Sequence, residues 1–168
     1  MFNIVLLEPE IALNTGNIGR TCSVTGAKLH LIRPLGFRLS EKEIKRAGLD
    51  YWEELAPCVY DDYEDFLNKK PDARNRCFFA TTKAQNTYAD ADFKPGDYIM
   101  FGKESAGIPE EILTENRDRC IRIPMAEGKR SLNLSNSAAI ILYEALRQND
   151  FRGLSSEGQL HRLKWDQC

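Results

Sequence analysis

The residues best suited to chemistry in this 168-residue chain fall in three short segments. Asn14-Thr15-Gly16-Asn17-Ile18-Gly19-Arg20 lies between a first apolar run and the helix predicted to follow it. Glycines there let backbone approach a ligand, and exposed amides beside an arginine suit a phosphate. The plain alternative is an asparagine-capped helix start with a surface arginine. Phe101-Gly102-Lys103-Glu104-Ser105-Ala106-Gly107-Ile108-Pro109 follows another apolar run directly. Ile123-Pro124-Met125 leads to Arg130-Ser131-Leu132-Asn133-Leu134-Ser135-Asn136 at the start of the final helix. Taken singly, Gly102 reads as a turn and Ser135 or Asn136 as a helix cap. Three such loops behind three strands point together to one pocket of main-chain groups, where open α/β sheets bind ligands.

Missing signatures narrow the chemistry. No Gly-x-Gly-x-x-Gly follows the first run, which argues against a dinucleotide site or an ordinary Rossmann methyltransferase. No Gly-x-x-x-x-Gly-Lys-[Ser/Thr] and no Gly-x-Ser-x-Gly occurs, against a P-loop nucleotidase and an α/β-hydrolase. Two histidines, His30 and His161, exclude a three-histidine metal site. Cys22, Cys58, Cys77, Cys120 and Cys168 never approach a Cys-x-x-Cys spacing, and their odd number reads as reduced, packed thiols in a cytosolic protein. The net charge of −2, from 23 basic and 25 acidic side chains, excludes a histone-like binder but not a local basic face. The first apolar run stops at Glu8-Pro9 with no basic segment before it, and no run of about 18 apolar residues exists, so neither export nor a membrane span is expected.

Apolar runs alternate with helical patterns. Phe2–Leu7, Lys28–Ile32, Cys58–Tyr60, Cys77–Thr81, Tyr98–Phe101 and Ile121–Ile123 read as strands. Helices are predicted over Asn17–Thr25, Ser40–Ala47 (opened by a Ser-x-x-Glu capping box), Asp62–Lys70, Pro109–Asn116 and Ser135–Gln148. This alternation predicts one α/β domain with a parallel sheet covered on both faces.

The three segments resemble the three ordered motifs of SPOUT (SpoU–TrmD) RNA methyltransferases. The chain is similar nearly end to end to that superfamily's smallest branch, the TrmL (YibK) tRNA wobble-nucleotide 2′-O-methyltransferases. Arg46-Ala47-Gly48-Leu49-Asp50-Tyr51-Trp52, Thr81-Thr82-Lys83 and Tyr143-Glu144-Ala145 also fit that branch. The matches span about residues 1–150, and the tail from Asp150 to Cys168 adds no motif. The resemblance implies a single SPOUT domain over residues 1–168, with a parallel sheet flanked by helices and a deep C-terminal trefoil knot. It implies S-adenosylmethionine as methyl donor, no metal, a cytoplasmic homodimer with the active site at the interface, and the anticodon stem-loop of tRNA as partner, without DNA or membrane. Carried over by motif, the donor pocket involves Ala80, Gly102, Ile123, Ser131 and Leu132. Ala80 stands where relatives often carry Leu, a change that a backbone contact tolerates. Arg20, Asn14 and Tyr143 match residues of the family's reaction centre.

Two other readings stay open: a ribosomal RNA substrate, and a non-catalytic RNA-binding or assembly factor on the same fold. Intact Arg20, Gly102, Ser131 and Asn133 count against the second, and 168 residues leave no room for the additional RNA-binding domain often found in larger relatives. RNA contact would then come from Lys28, Arg33 and Arg38, from Lys42, Lys45 and Arg46, or from Lys129 and Arg130, each equally a solvated charged face. Tyr51 and Trp52 are either base-stacking residues or core anchors.

Overall fold

The computed structural model describes residues 1–38 and 52–165. The predicted helix over Ser40–Ala47, the group Lys42, Lys45 and Arg46, Tyr51, and Cys168 lie outside the described residues. The strands are β1 (Asn3–Leu7), β2 (Lys28–Ile32), β3 (Cys58–Tyr60), β4 (Cys77–Ala80), β5 (Asn86–Thr87), β6 (Tyr98–Phe101) and β7 (Cys120–Arg122). They form one sheet in the order β3-β2-β1-β6-β4-β7-β5, and every pairing is parallel. The helices are α1 (Ala12–Thr25), α2 (Trp52–Leu55), α3 (Tyr63–Lys69), α4 (Ala73–Arg76), α5 (Glu110–Glu115) and α6 (Leu134–Gln148).

A strand buried on both faces must be apolar at successive positions, and β1 is. Ile4 and Leu6 face one core with residues of α1 and α6, whereas Val5 and Leu7 face the other with Phe66, Leu67 and Leu113. Trp52 belongs to the first core at 8% exposure, so of the two readings offered for it the core anchor holds. Cys22, Cys77 and Cys120 are buried free thiols, and burial pushes Cys22 up to about 12.

Two sequence expectations shift in ways that matter for the site. The helix predicted from Asn17 begins at Ala12, so Asn14 to Gly16 are helical rather than a loop before a helix. Asn and Gly are poor helix formers, but Asn14, Thr15, Gly16, Ile18 and Gly19 are all buried, and packing overrides propensity. The cap of α6 is Asn133, not Ser135 or Asn136. Its side-chain oxygen accepts from the Ser135 and Asn136 amides at 2.9 and 3.4 Å. β5, α2 and α4, at two to four residues each, are too short for periodicity to reveal.

His30 is buried in β2, its ring stacked on Tyr60 and edge-on to Phe66. Its Nε2 lies 3.2 Å from the Asn3 side-chain oxygen, and Nδ1 lies 2.9 Å from the Tyr60 hydroxyl, which satisfies a neutral ring. Burial first, then Lys70 and Lys28, pushes its pKa from 6.5 down to about 4. The neutral ring is favoured in the fold, so the unfolded chain binds the proton first as pH falls. Stability from this group is fully present above about pH 6.5 and is lost as pH falls to 4, a change on the order of 3 kcal/mol. Urea unfolding of the parent and of His30→Gln at pH 7 and pH 4.5 checks this. The variant starts less stable but loses less on acidification, and parallel losses would contradict the assignment.

Candidate functional site

Because the sheet is parallel throughout, the carboxyl ends of β1, β4, β6 and β7 share one edge, with Leu6, Ala80 and Phe101 in register across it. A cleft of about 510 Å³ opens there, a size that suits a small ligand. Ala80, Gly102, Ile123, Ser131 and Leu132, from four separate chain segments, all line it, and so does Asn14. Thr81, Thr82, Lys83, Glu104 and Asn133 complete much of the polar wall.

The loop after β6 has no freedom to move inward. A Cβ on Gly102 would overlap the Gly107 carbonyl group and the Ile108 nitrogen, so main chain lies directly on main chain. The sequence offered Gly102 as a turn, and the motif resemblance placed it in the donor pocket. The structure gives it a nearer reason, the loop's own return. That return is closed by the Gly107 amide donating to the Lys103 carbonyl at 2.8 Å, with Gly107 in the left-handed region.

Side chains then tie this loop to its neighbours. Lys103 Nζ donates to Glu8 Oε2 at 2.8 Å, and Ser105 donates through both its amide and its hydroxyl to the Glu10 carboxylate, each at 2.8 Å. Those Ser105 bonds hold the Glu10 carboxyl below its ordinary range, and Glu8 raises Lys103. Glu104 receives the Glu10 amide on one oxygen at 2.8 Å and Asn14 Nδ2 on the other at 2.9 Å. Asn14 Oδ1 in turn accepts from Asn133 Nδ2 at 3.0 Å. One continuous hydrogen-bonded path therefore joins all three motif segments. Glu8 adopts φ of 53°, a left-handed conformation costing a non-glycine residue about 1–2 kcal/mol, at the point where it meets Lys103.

Arg20 and Tyr143 do not line the cleft. Arg20 is exposed on α1, six residues beyond Asn14, and Tyr143 is 45% exposed on α6, which packs against α1. Leu13 and Val24 on α1 and Ile140 on α6 are exposed on the same pair of helices. The grouping of Lys28, Arg33 and Arg38 does not hold as one patch. Lys28 begins β2 while Arg33 follows its end, roughly 16 Å away, where it pairs with Asp61 at 2.8 Å. Lys129 and Arg130 are exposed beside cleft-lining Ser131. Among the described residues, no group of three or more His, Cys, Asp or Glu side chains could hold a metal ion, and no helix is long and apolar enough to cross a membrane. Sequence reasoning missed Glu8 and Glu10. Their partners, Lys103 and Ser105, each lie 95 residues further along the chain, beyond the reach of any local pattern.

Residues 1–143 match the SpoU rRNA Methylase family. The tRNA (cytidine(34)-2′-O)-methyltransferase of Methylovorus glucosotrophus is 49% identical over 154 residues, covering 91% of this chain and 99% of that protein. A solved structure described as giving insight into the 2-OH methylation of C/U34 on tRNA superposes with a TM-score of 0.82 at 44% identity, covering 90% of this chain and 98% of that one. The AdoMet-bound rRNA methyltransferase of Sinorhizobium meliloti superposes at 0.71 with 27% identity, over 87% of this chain but only 56% of its own.

Proposed function

The chain belongs to the SpoU rRNA Methylase family, and on that premise we propose that it transfers the methyl group of S-adenosylmethionine to the ribose 2′-hydroxyl of the wobble nucleotide of tRNA. The observation that carries this reading is the convergence of Ala80, Gly102, Ile123, Ser131 and Leu132 on one cleft. Relatives near half identity and matched along almost their full length carry the tRNA name, whereas the rRNA-directed relative is much longer than this chain. A non-catalytic factor would have no need of an intact donor cleft.

The cleft suits the donor in size and in its wall of main-chain and small polar groups around Gly102, Ser131 and Asn133. When bound, the donor supplies a methyl group on a positively charged sulfur, open to attack by oxygen. The residues of the chain must then hold the ribose, spread the negative charge growing on its 2′-oxygen and let its proton leave. The Arg20 guanidinium presents N–H donors and no acceptor, so it clamps a phosphate and stabilises the oxyanion rather than accepting the proton. Asn14 has both ends of its carboxamide engaged and holds the donor loops in register. Tyr143 is half-exposed on α6, which packs against the helix that carries Asn14 and Arg20.

The same reading includes a single domain with a deep C-terminal trefoil knot, and a cytoplasmic homodimer. The exposed Leu13, Val24, Ile140 and Tyr143 support a pairing face on α1 and α6. Arg20 is exposed on the same helix as Leu13 and Val24.

Purified protein with S-adenosylmethionine, tRNA transcripts and no added metal is expected to place one methyl group on the ribose at position 34. A transcript carrying 2′-deoxyribose at that position should stay unmodified. Transfer to ribosomal RNA but not to tRNA would overturn the substrate assignment.

A further inference from the structure

We propose that Glu10 is a positioning residue for the methyl-donor loop, acting through a reciprocal pair with Glu104. The inference rests on the donor-binding reading of the cleft. Two chain segments 94 residues apart each offer a carboxylate to the other's main-chain amide: Glu10 N–H to Glu104 at 2.8 Å, and Ser105 N–H to Glu10 at 2.8 Å. The Ser105 hydroxyl adds a third bond to the other Glu10 oxygen at 2.8 Å. Lys103 and Glu8 close the same junction one step toward the sheet. A charged acceptor makes a stronger bond to an amide than a neutral one does, so this junction is firmer than an ordinary loop contact.

The strap also has a fixed backing. The Gly36 amide donates to the Pro9 carbonyl at 2.9 Å, and a Cβ on Gly36 would fall 2.5 Å from the Glu10 carbonyl oxygen. The Glu10 main chain therefore sits between Gly36 and the donor loop with no slack behind it. Glu10 itself does not line the cleft, whereas Lys103, Glu104 and Ser105 do. Its effect on a ligand must pass through the loop it holds. From Glu104 the same hold continues to Asn14 and Asn133, so the strap governs the spacing of both loops that face the donor.

Removing the Glu10 carboxylate leaves the Glu104 half of the pair and the Gly102 return intact. The loop stays folded but is less narrowly placed, which weakens binding more than chemistry once the donor is bound. Calorimetry with S-adenosylhomocysteine is expected to show about tenfold weaker binding by Glu10→Ala. Its single-turnover rate at saturating donor should stay within about twofold of the parent. Glu10→Gln should recover most of the affinity, because its carbonyl oxygen still accepts from Ser105. Equal affinity in Glu10→Ala and the parent would overturn the strap. So would a saturating rate that falls as far as affinity, which would place Glu10 at the reacting atoms. A parent protein that does not bind the probe would overturn the donor reading, and the strap with it.

Discussion

Arg20→Ala is expected to bind S-adenosylmethionine as the parent does while methyl transfer to tRNA falls about 10²–10³-fold, or roughly 3–4 kcal/mol in barrier height. Donor binding should survive because Arg20 is absent from the cleft wall, which is built from the loops after β4, β6 and β7, the approach to α6 and, from α1, only its start at Ile11 and Asn14. The rate should fall because a fixed guanidinium interacts more strongly with a charged ribose oxygen than with the neutral hydroxyl that precedes it. Arg20→Lys should also perform poorly, since an ammonium cannot present two parallel donors to a phosphate. Single-turnover reactions at saturating donor and tRNA separate the two effects. Transfer by Arg20→Ala at close to the parent rate would remove Arg20 from the mechanism, even with the fold intact.

Gly102→Ala is the second large effect. The added methyl group meets main chain on the far side of the loop, at Gly107 and Ile108, and main chain cannot rotate away as a flexible side chain can. Ile108 is 2% exposed and anchors the second core, so the overlap also works against packing. The expected result is a loss of about 2–3 kcal/mol in unfolding free energy. Binding of S-adenosylhomocysteine should become undetectable by calorimetry, since the loop that forms one wall must shift. Urea unfolding and titration on the same sample test both halves. Parent-like stability together with parent-like affinity would show that the Gly102 return is not tight in solution.

Most of the fold was legible in the sequence because the strands carry their signal locally. β2, β3 and β6 begin and end where their apolar runs do, bounded by Pro, Gly and Asp. α3 starts after Asp62, whose side chain accepts the Asp65 amide as an acidic start predicts. What could not be read was set by tertiary contact. Asn14 and Gly16 signalled a loop and became helix because both are buried in a helix packed on α6 and α2. Ser135 looked as good a cap as Asn133, and only the fold decides which oxygen reaches the free amides. The donor-pocket positions came from motif resemblance, and the structure gathers all five of them into one cleft. Glu10 was invisible in the sequence for a physical reason: its partner, Ser105, is 95 residues away. No local pattern encodes a bond across that separation.

α1 carries Asn14 at the donor loops and Arg20 on an exposed face, six residues apart along one uninterrupted helix. Six residues correspond to a rise of about 9 Å and a rotation of about 240°. The offset between the two ends of the chemistry is thus written in helical phase. A substitution within α1 leaves that phase alone. The insertion or loss of a single residue between Asn14 and Arg20 would turn the guanidinium by about 100°. Over this stretch the chain is constrained in length more strictly than in composition.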